Sequence, residues 1–405
     1  MKTKRTWIRN VLIGLTGIML AAVMIITGFG GTSIASAAGG TPVYSSGDLF
    51  SSRDLDQTAD LDGAVTYTVA DGEDIRITEA GTYVLTGTAS GVTVYVEAAE
   101  DAKVQLVLQD LNLTNSDFPC IYVLTADKVF ITTAGDSSLA VTGTFRSDGS
   151  THTDGVIFSR TDLVLNGTAE LTIRSTDNGV VCKDDLKITG GTYTVTAASK
   201  AFEANDSIRV MGGTFVLKAG TDGLHAENED DTSKGYVYIG GGDITITCGD
   251  DGIHAVSVVQ IDDGTLNITA AEGIEGTYVQ INGGTVNISA SDDGINAANK
   301  SSAVETAVEF NGGTVTIAMG AGDTDGVDSN GNLYINGGVI SVTGNSTFDY
   351  DRMASFTGGT VYVNGQQTSS IPNQMMGGGR GGWGGQGNQG SWGGQGGGRG
   401  GRGGW

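Results

Sequence analysis

Alternating apolar and polar residues, interrupted by pairs of glycines, recur through the middle of this chain. Residues 283–290 read Gly-Gly-Thr-Val-Asn-Ile-Ser-Ala, and residues 292–297 read Asp-Asp-Gly-Ile-Asn-Ala. The second glycine of the pair recurs at Gly191, Gly213, Gly242, Gly264, Gly284, Gly313, Gly338 and Gly359. Successive copies lie 20 to 29 residues apart, and a period of this length is typical of a solenoid.

Each repeat holds three short alternating stretches, which in this copy are residues 279–281, 285–289 and 295–297. Alternation predicts strands with one apolar face and one polar face. Stacked coils of three strands bury the apolar faces in one continuous core. We therefore predict an all-β, right-handed parallel β-helix with about 21 residues per coil, its hand following the usual crossover preference. A sandwich or propeller is the alternative, but a propeller blade needs about 40–45 residues.

The ends of the chain differ from the repeats in composition. Residues 1–37 begin with lysines and arginines, continue with an apolar run and end with Ala-Ser-Ala, which fits a signal peptidase site. This order predicts a signal peptide and a secreted or cell-surface protein. An uncleaved membrane anchor is the alternative. We expect residues 38–60 to be an N-terminal linker and residues 61–372 to be the β-helix. Residues 373–405 are rich in glycine and are expected to be a disordered tail.

The charge of the chain limits the partners that it can have. The formal net charge is −24 at pH 7, which argues against nucleic acid and anionic lipid as ligands. It favours cations, or acidic ligands held through bridging cations. Three widely spaced cysteines predict neither a disulfide framework nor a zinc motif. We expect a monomer that does not associate with the membrane after signal cleavage.

The repeat predicts three ladders of polar residues. Ladder one is formed by Asp154, Asn178, Lys200, Asp222, Asp251, Glu272, Asp293 and Asp325. Ladder two is formed by Asp177, Asp250, Asp292 and Asp323. Ladder three is formed by Glu203, His225, His254, Glu275, Asn296 and Asp328. Two like charges on neighbouring coils, about 4.8 Å apart, cost roughly 3.5 kcal/mol at an effective dielectric of 20.

Such repulsion can be relieved in more than one way. Clustered hard oxygen ligands suit calcium, so we predict calcium ligands among Asp222, Asp250, Asp251, Glu272, Asp292, Asp293, Asp323 and Asp325. We predict that ladder three, from Glu203 to Asp328, contacts the ligand. A cationic ligand is one alternative, and carboxylates that only cap turn amides are another. His225 and His254 share a ladder and suit a transition metal, although an outward polar ladder is the simpler interpretation.

Two insertions follow the third strand of their coils, at residues 227–234 and 298–306. Insertions on one side of a solenoid commonly wall its binding face. Both insertions come directly after residues of the predicted ladders. They are therefore candidates for the walls of a binding site, with solvated loops as the alternative.

The repeats Ile-Asn-Gly-Gly-Thr-Val-x-Ile and Asp-Asp-Gly-Ile-x-Ala resemble those of a carbohydrate-binding β-helix family of clostridia and other Gram-positive bacteria. The resemblance covers roughly residues 60–365. It implies a fold similar to that of pectate lyases, with calcium in the helix and binding of cellulose or polygalacturonate. The family that the chain resembles has no established lyase activity. Only the Asp-Asp-Gly positions carry over from the family, and the pair His225 and His254 departs from it.

Three functions are compatible with these patterns. The first is a non-catalytic, calcium-assisted binder of acidic cell-wall polysaccharide, which explains how an acidic protein holds an acidic polymer. The second is a calcium-dependent polysaccharide lyase, which needs a basic side chain beside the metal. Lys200 is the candidate base in that case alone, and otherwise we predict no catalytic residue. The third is a structural cell-surface adhesin.

Overall fold

The computed structural model describes residues 41–321 and 324–373. The predicted signal peptide, nearly all of the predicted tail and Asp323 lie outside these residues. The described chain is almost entirely β-structure. It includes one short helix, α1 (Ser46–Leu49), and nowhere in the described ranges is a helix long and apolar enough to cross a bilayer.

The strands form three columns. The first column contains β7 (Lys128–Thr133), β10 (Asp162–Gly167), β13 (Asp185–Ile188), β16 (Ser207–Val210), β19 (Tyr236–Ile239), β22 (Val258–Ile261), β25 (Tyr278–Ile281), β28 (Ala307–Phe310), β31 (Asn332–Ile335) and β34 (Ala354–Phe356). The second contains β8 (Ser137–Val141), β11 (Glu170–Ser175), β14 (Thr192–Ala197), β17 (Thr214–Ala219), β20 (Asp243–Thr247), β23 (Thr265–Ala270), β26 (Thr285–Ala290), β29 (Thr314–Met319), β32 (Val339–Thr343) and β35 (Thr360–Val363).

The third column is a separate sheet of 12 strands. It contains β2 (Ile75–Ile77), β4 (Val94–Glu97), β6 (Ile121–Thr125), β9 (Gly155–Ser159), β12 (Asn178–Cys182), β15 (Phe202–Ala204), β18 (Leu224–Ala226), β21 (Asp251–Ala255), β24 (Glu272–Gly276), β27 (Ile295–Ala297), β30 (Asp325–Ser329) and β33 (Ser346–Tyr350). From β7 to β32, each strand pairs in parallel with the strand three positions further along the chain.

The remaining strands lie at the two ends. β1 (Val65–Thr68) pairs with β3 (Gly81–Ser90), and β3 pairs with β5 (Lys103–Asn115). The long strand β5 then pairs with both β7 and β8, so it joins the first two columns. At the other end, β36 (Gln366–Thr368) pairs antiparallel with β35.

One hydrophobic core runs through the stack. Within a coil, side chains such as Ile281, Ile288 and Ile295 point inward and are almost fully buried. Their counterparts in neighbouring coils continue the same core cluster from β1 to β35. The sequence pattern predicted this alternation, because inward residues of a strand recur with a period of two. The nearly all-β architecture with parallel strands is thus confirmed.

Two kinds of glycine shape each coil for different reasons. The second glycine of the Gly-Gly pair has a positive φ, for example 109° at Gly264, which favours glycine over residues with a Cβ. The glycine that follows the acid of ladder one packs against the next coil. A Cβ added to Gly252 or Gly273 would lie 2.5 or 2.3 Å from the carbonyl oxygen of the next such glycine. These glycines permit close stacking, and they begin strands rather than forming turns.

Residues 41–57, within the stretch that we expected to be a linker, lie against the outer face of the first column. Tyr44 exchanges two hydrogen bonds with the side-chain amide of Gln260, at 2.7 and 2.9 Å. Asp54 is buried and contacts Lys187 at 3.0 Å and Lys128 at 3.5 Å. Burial opposes ionisation of Asp54, but the Ser51 amide and Lys187 outweigh it and lower the pKa. The segment therefore packs on the first column.

We predict that Gly273→Ala destabilises the protein by about 2 kcal/mol or more, because the methyl group overlaps the carbonyl oxygen of Gly294. Gly212→Ala is the matched control, since its Cβ would have a nearest neighbour at 3.4 Å. Thermal melts followed by circular dichroism compare the two variants. Equal melting temperatures for both would contradict the close-packing role of the glycine.

Candidate functional site on the third column

The outward side chains of the third column form the predicted ladder three. The strand register aligns Glu203 with His225, His225 with His254, and His254 with Glu275. It then aligns Glu275 with Asn296 and Asn296 with Asp328. The order is the one expected from the repeat. The structure extends the ladder by one residue, Asp349, which the sequence reasoning missed because its coil lacks the Asp-Gly signal.

Ladder one also forms over most of its predicted length. Asp222 Oδ1 accepts a hydrogen bond from the Asp251 amide at 3.1 Å. Asp293 Oδ1 does the same for the Asp325 amide, also at 3.1 Å. These carboxylates thus cap the backbone of the neighbouring coil, which was the alternative to a metal-binding role. Each leaves its second oxygen for other contacts.

The predicted alignment of the first two residues of ladder one, Asp154 and Asn178, was wrong. The register pairs Asn178 with Gly155 rather than with Asp154. Asp154 accordingly aligns with Asp177, whose pKa is raised by burial and by the Asp154 charge. The alignment slipped by one residue because the preceding coil carries a longer loop. In ladder two, Asp250 and Asp292 are exposed, and Asp323 lies outside the described residues.

His254 is held by two carboxylates. Its Nδ1 lies 2.7 Å from Asp251 Oδ2 and 2.9 Å from Glu275 Oε2. Burial by itself lowers the pKa of His254, but the two carboxylates outweigh it and raise the pKa to about 9. Glu275 also contacts the ammonium of Lys300. Burial disfavours ionised Glu275, yet His254 and Lys300 together lower its pKa.

His225 repeats this arrangement one coil away. Its Nδ1 lies 2.8 Å from Asp222 Oδ2, at the distance of an ion pair but without the alignment of a hydrogen bond. Its Nε2 lies 3.2 Å from Glu227 Oε2. The rings of His225 and His254 stack with centroids 4.5 Å apart and planes 15° apart. Burial raises the pKa of Asp222, but the His225 contact outweighs burial and lowers it.

Two lysines neutralise the beginning of ladder three. Lys183 Nζ lies 2.9 Å from Glu203 Oε1, and Lys200 Nζ lies 3.2 Å from Glu203 Oε2. Burial opposes ionisation of Glu203, but the two ammonium groups lower its pKa. Lys200, the candidate base of a lyase, is therefore engaged with a carboxylate.

The two insertions contact each other, and each reaches a residue of ladder three. Ser301 Oγ in the second insertion donates a hydrogen bond of 2.5 Å to the Thr232 carbonyl in the first. Glu227 and Lys300 come from these insertions and reach His225 and Glu275. Sequence reasoning placed the insertions beside the ladders but did not single out these two side chains. Next to the first insertion is a groove of about 360 Å³, lined by Lys183, Lys200, Glu203, His225, Glu227 and Asp230 among others.

The other half of the ladders carries acids without this neutralisation. Burial and the neighbouring acids Asp251 and Glu275 raise the pKa of Glu272 to about 7, although Asn296 donates to it. Burial raises the pKa of Asp293 to about 6, despite the Asp325 amide. Burial, Asp293 and Asp325 raise the pKa of Asp328 to about 7. We name Glu272, Asp293, Asn296, Asp325 and Asp328 the acidic half.

Three of the buried oxygen atoms without a hydrogen-bond partner belong to the coils of the acidic half. They are the buried Oδ1 atoms of Asn296 and Asp349 and the Oγ1 of Thr324. Hard oxygen donors of this kind fit calcium, which takes six to eight oxygens from carboxylates, amides and water. In the described residues, three histidine or carboxylate ligand atoms converge within 4.8 Å at three places, all of which include a histidine. Calcium at the acidic half would therefore need amide or water ligands as well.

Comparison with known proteins identifies the family. A family described as "Carbohydrate-binding domain-containing protein" matches residues 71–324 and 271–374. The chain belongs to this carbohydrate-binding family. The predicted membership of a carbohydrate-binding family is confirmed at that level.

A carbohydrate-binding domain-containing protein of Acetivibrio thermocellus is 30% identical over 184 residues, which make up 44% of this chain and 63% of that protein. The chain thus spans less than two thirds of that relative's length. A solved structure described as the polysaccharide lyase-like protein from C. thermocellum, in a gadolinium derivative, is 29% identical. It covers 52% of this chain and 92% of its own, with a TM-score of 0.49.

We predict that Asp328→Asn stabilises the protein at pH 8 in a chelating buffer, by on the order of 2 kcal/mol after allowance for solvent screening. The folded pKa of Asp328 is about 7, whereas that of an unfolded aspartate is about 3.9. Ionised Asp328 therefore costs folding free energy, in full above the folded pKa and not at all below the unfolded one. The advantage of the variant should fade as the pH falls to 4.

Melting temperatures from pH 4 to pH 8 measure this effect. Asp250→Asn is the matched control, because Asp250 belongs to a neighbouring ladder and is exposed. A stabilisation by Asp328→Asn that is the same at pH 4 and pH 8 would contradict the electrostatic explanation.

Proposed function

We propose that this protein is a secreted, non-catalytic binder of acidic cell-wall polysaccharide, such as polygalacturonate, and that calcium assists the binding. The observation that carries the proposal is the acidic half of the third column, in a chain of a carbohydrate-binding family. Its acids are partly buried and repel one another, and none of them has a cationic partner among the described residues. A divalent cation relieves that repulsion and leaves coordination positions for uronate carboxylates.

The strand pairing supports the finer description of the fold. From β7 to β32, each strand pairs in parallel with the strand three positions further along, so we propose a right-handed β-helix with three strands per coil, similar to that of pectate lyases. Right-handed crossovers are found in about 98% of parallel connections. A straight face of this type suits an extended polymer, since successive coils offer equivalent positions at a constant spacing of about 4.8 Å.

The proposed calcium ligands are the carboxylates of Glu272, Asp293, Asp325 and Asp328, with the amide oxygen of Asn296. Asp325 and Asp328 are three residues apart, which is the spacing that brings Asp222 within 2.8 Å of His225. Calcium would supply positive charge between protein carboxylates and sugar carboxylates. The residues of this chain would orient the ion and bind the hydroxyl groups of the sugar.

Charge also separates the two halves of the face. Lys183, Lys200 and Lys300 all lie toward the histidines, where the groove opens. A uronate chain along the column would thus meet fixed cations at one end and acids bridged by calcium at the other. We propose that the polymer follows the third column, because residues 41–57 cover the first.

We predict that the purified protein binds polygalacturonate in 2 mM calcium and loses at least tenfold in affinity when EGTA is added. Isothermal titration calorimetry against polygalacturonate, with fully methyl-esterified pectin as the uncharged comparison, measures this. The variant Asp293→Asn with Asp328→Asn should lose the same affinity while remaining folded, with a melting temperature in EGTA no lower than that of the parent. Asp250→Asn should bind as the parent does.

Three results would count against this proposal. One is equal affinity with calcium and with EGTA. Another is equal affinity for esterified and unesterified polymer. The third is full binding by the double variant. If the protein bound cellulose and no acidic polymer, its ligand would be a neutral glycan.

We predict no unsaturated uronate product from polygalacturonate at pH 8 to 9 with calcium present. A lyase needs a basic side chain within hydrogen-bond reach of the α-carbon proton, beside the metal. Lys183 and Lys200 both contact Glu203, which holds their ammonium groups away from that task. Growing absorbance near 235 nm that Lys200→Ala abolishes would establish a lyase instead.

A further inference from the structure

We propose that His225 and His254, with Glu227, form a binding site for a divalent transition-metal ion of the zinc class, separate from the acidic half. One ligand atom from each of the three residues lies within 4.8 Å of those of the other two. Imidazole nitrogen with carboxylate oxygen suits zinc, whereas calcium prefers an all-oxygen shell. The donor set therefore distinguishes the two sites.

The orientation of both imidazoles supports the proposal. In each case Nδ1 faces a carboxylate three residues earlier, at 2.8 Å for Asp222 and 2.7 Å for Asp251. A carboxylate on one ring nitrogen orients the imidazole, and a metal that binds the other nitrogen displaces the proton there, as in carboxylate–histidine–zinc triads. The sequence Asp-Gly-apolar-His occurs at both coils, so both imidazoles face an aspartate at the same spacing, although only the pair Asp251 and His254 is aligned as a hydrogen bond.

The stacking of the coils places the two Nε2 atoms side by side. The rings are nearly parallel, with centroids 4.5 Å apart, and each histidine is more than nine-tenths buried. Glu227 Oε2 lies 3.2 Å from His225 Nε2, which is close to the separation of two ligands on one tetrahedral zinc ion. Binding of one ion by all three donors requires the two parallel imidazoles to tilt toward each other, together with a movement of Glu227 on its exposed loop.

The groove gives the metal an open position. Three protein ligands leave a fourth site of a tetrahedral ion for water or another oxygen donor. His225 and Glu227 line the groove of about 360 Å³, so that position faces solvent. The metal site stands independently of the proposed glycan, and its failure would leave calcium-assisted binding untouched.

Titration of zinc chloride into metal-stripped protein without a polyhistidine tag tests the site, in a buffer that contains 2 mM calcium. We expect one zinc ion per chain, and cobalt should give a visible d–d absorption band on binding. His225→Gln, His254→Gln and Glu227→Gln should each weaken zinc binding at least tenfold. The exposed position of Glu227 makes its variant the safest for the fold.

His152→Gln is the matched control, because His152 is the third histidine of the chain and has its own acidic neighbours, Asp154 and Asp177. It should leave zinc binding unchanged. The proposal is overturned by an absence of zinc binding, by loss of binding in His152→Gln, or by unchanged binding in all three site variants. Competition by millimolar calcium would overturn the claimed selectivity.

Discussion

The structure depends on the in-register stacking of parallel strands, which places each side chain about 4.8 Å from its counterpart in the next coil. For apolar residues this stacking builds a continuous core. For charged residues this stacking costs free energy, because like charges lie next to each other in neighbouring coils and have little freedom to separate. The outward charges of the third column must therefore be compensated, and the two halves of the column are compensated in different ways.

In one half, the chain supplies the counter-charges itself. Lys183 and Lys200 neutralise Glu203, while His254 and Lys300 neutralise Glu275. In the acidic half the described structure shows no such cations near Asp293 and Asp328, and burial and the neighbouring acids raise the pKa of both carboxyl groups. A site that holds protons where they are normally lost is one that a divalent cation can occupy with a gain in free energy.

Much of this arrangement follows from the sequence, because a repeat converts position along the chain into position in space. The order of ladder three from Glu203 to Asp328 and the place of both insertions were predicted correctly. The slip at Asp154 arose where the repeat is weakest. The periodicity contains no information on the hydrogen bond between Ser301 and Thr232, which are 69 residues apart.

Other contacts were missed for a chemical reason. The turn interpretation of the Asp-Gly pair, which was the alternative to calcium binding, included carboxylates that cap backbone amides but did not place the capped amide in the next coil. The three-residue spacing between Asp251 and His254 was visible in the sequence, and in hindsight it is the signal for a paired imidazole. Packing of Tyr44 and Asp54 on the first column leaves no periodic trace, since residues 41–57 lie outside the repeat.

The central claim is that a divalent cation relieves the charge of the acidic half. Anomalous diffraction from crystals grown in calcium, collected at a long wavelength, tests this claim most directly. The account predicts a calcium peak beside Asp293, Asp325 and Asp328, with amide and water oxygens completing a shell of ligands at about 2.3–2.6 Å. Well-diffracting crystals with no peak along the acidic half at millimolar calcium would contradict it.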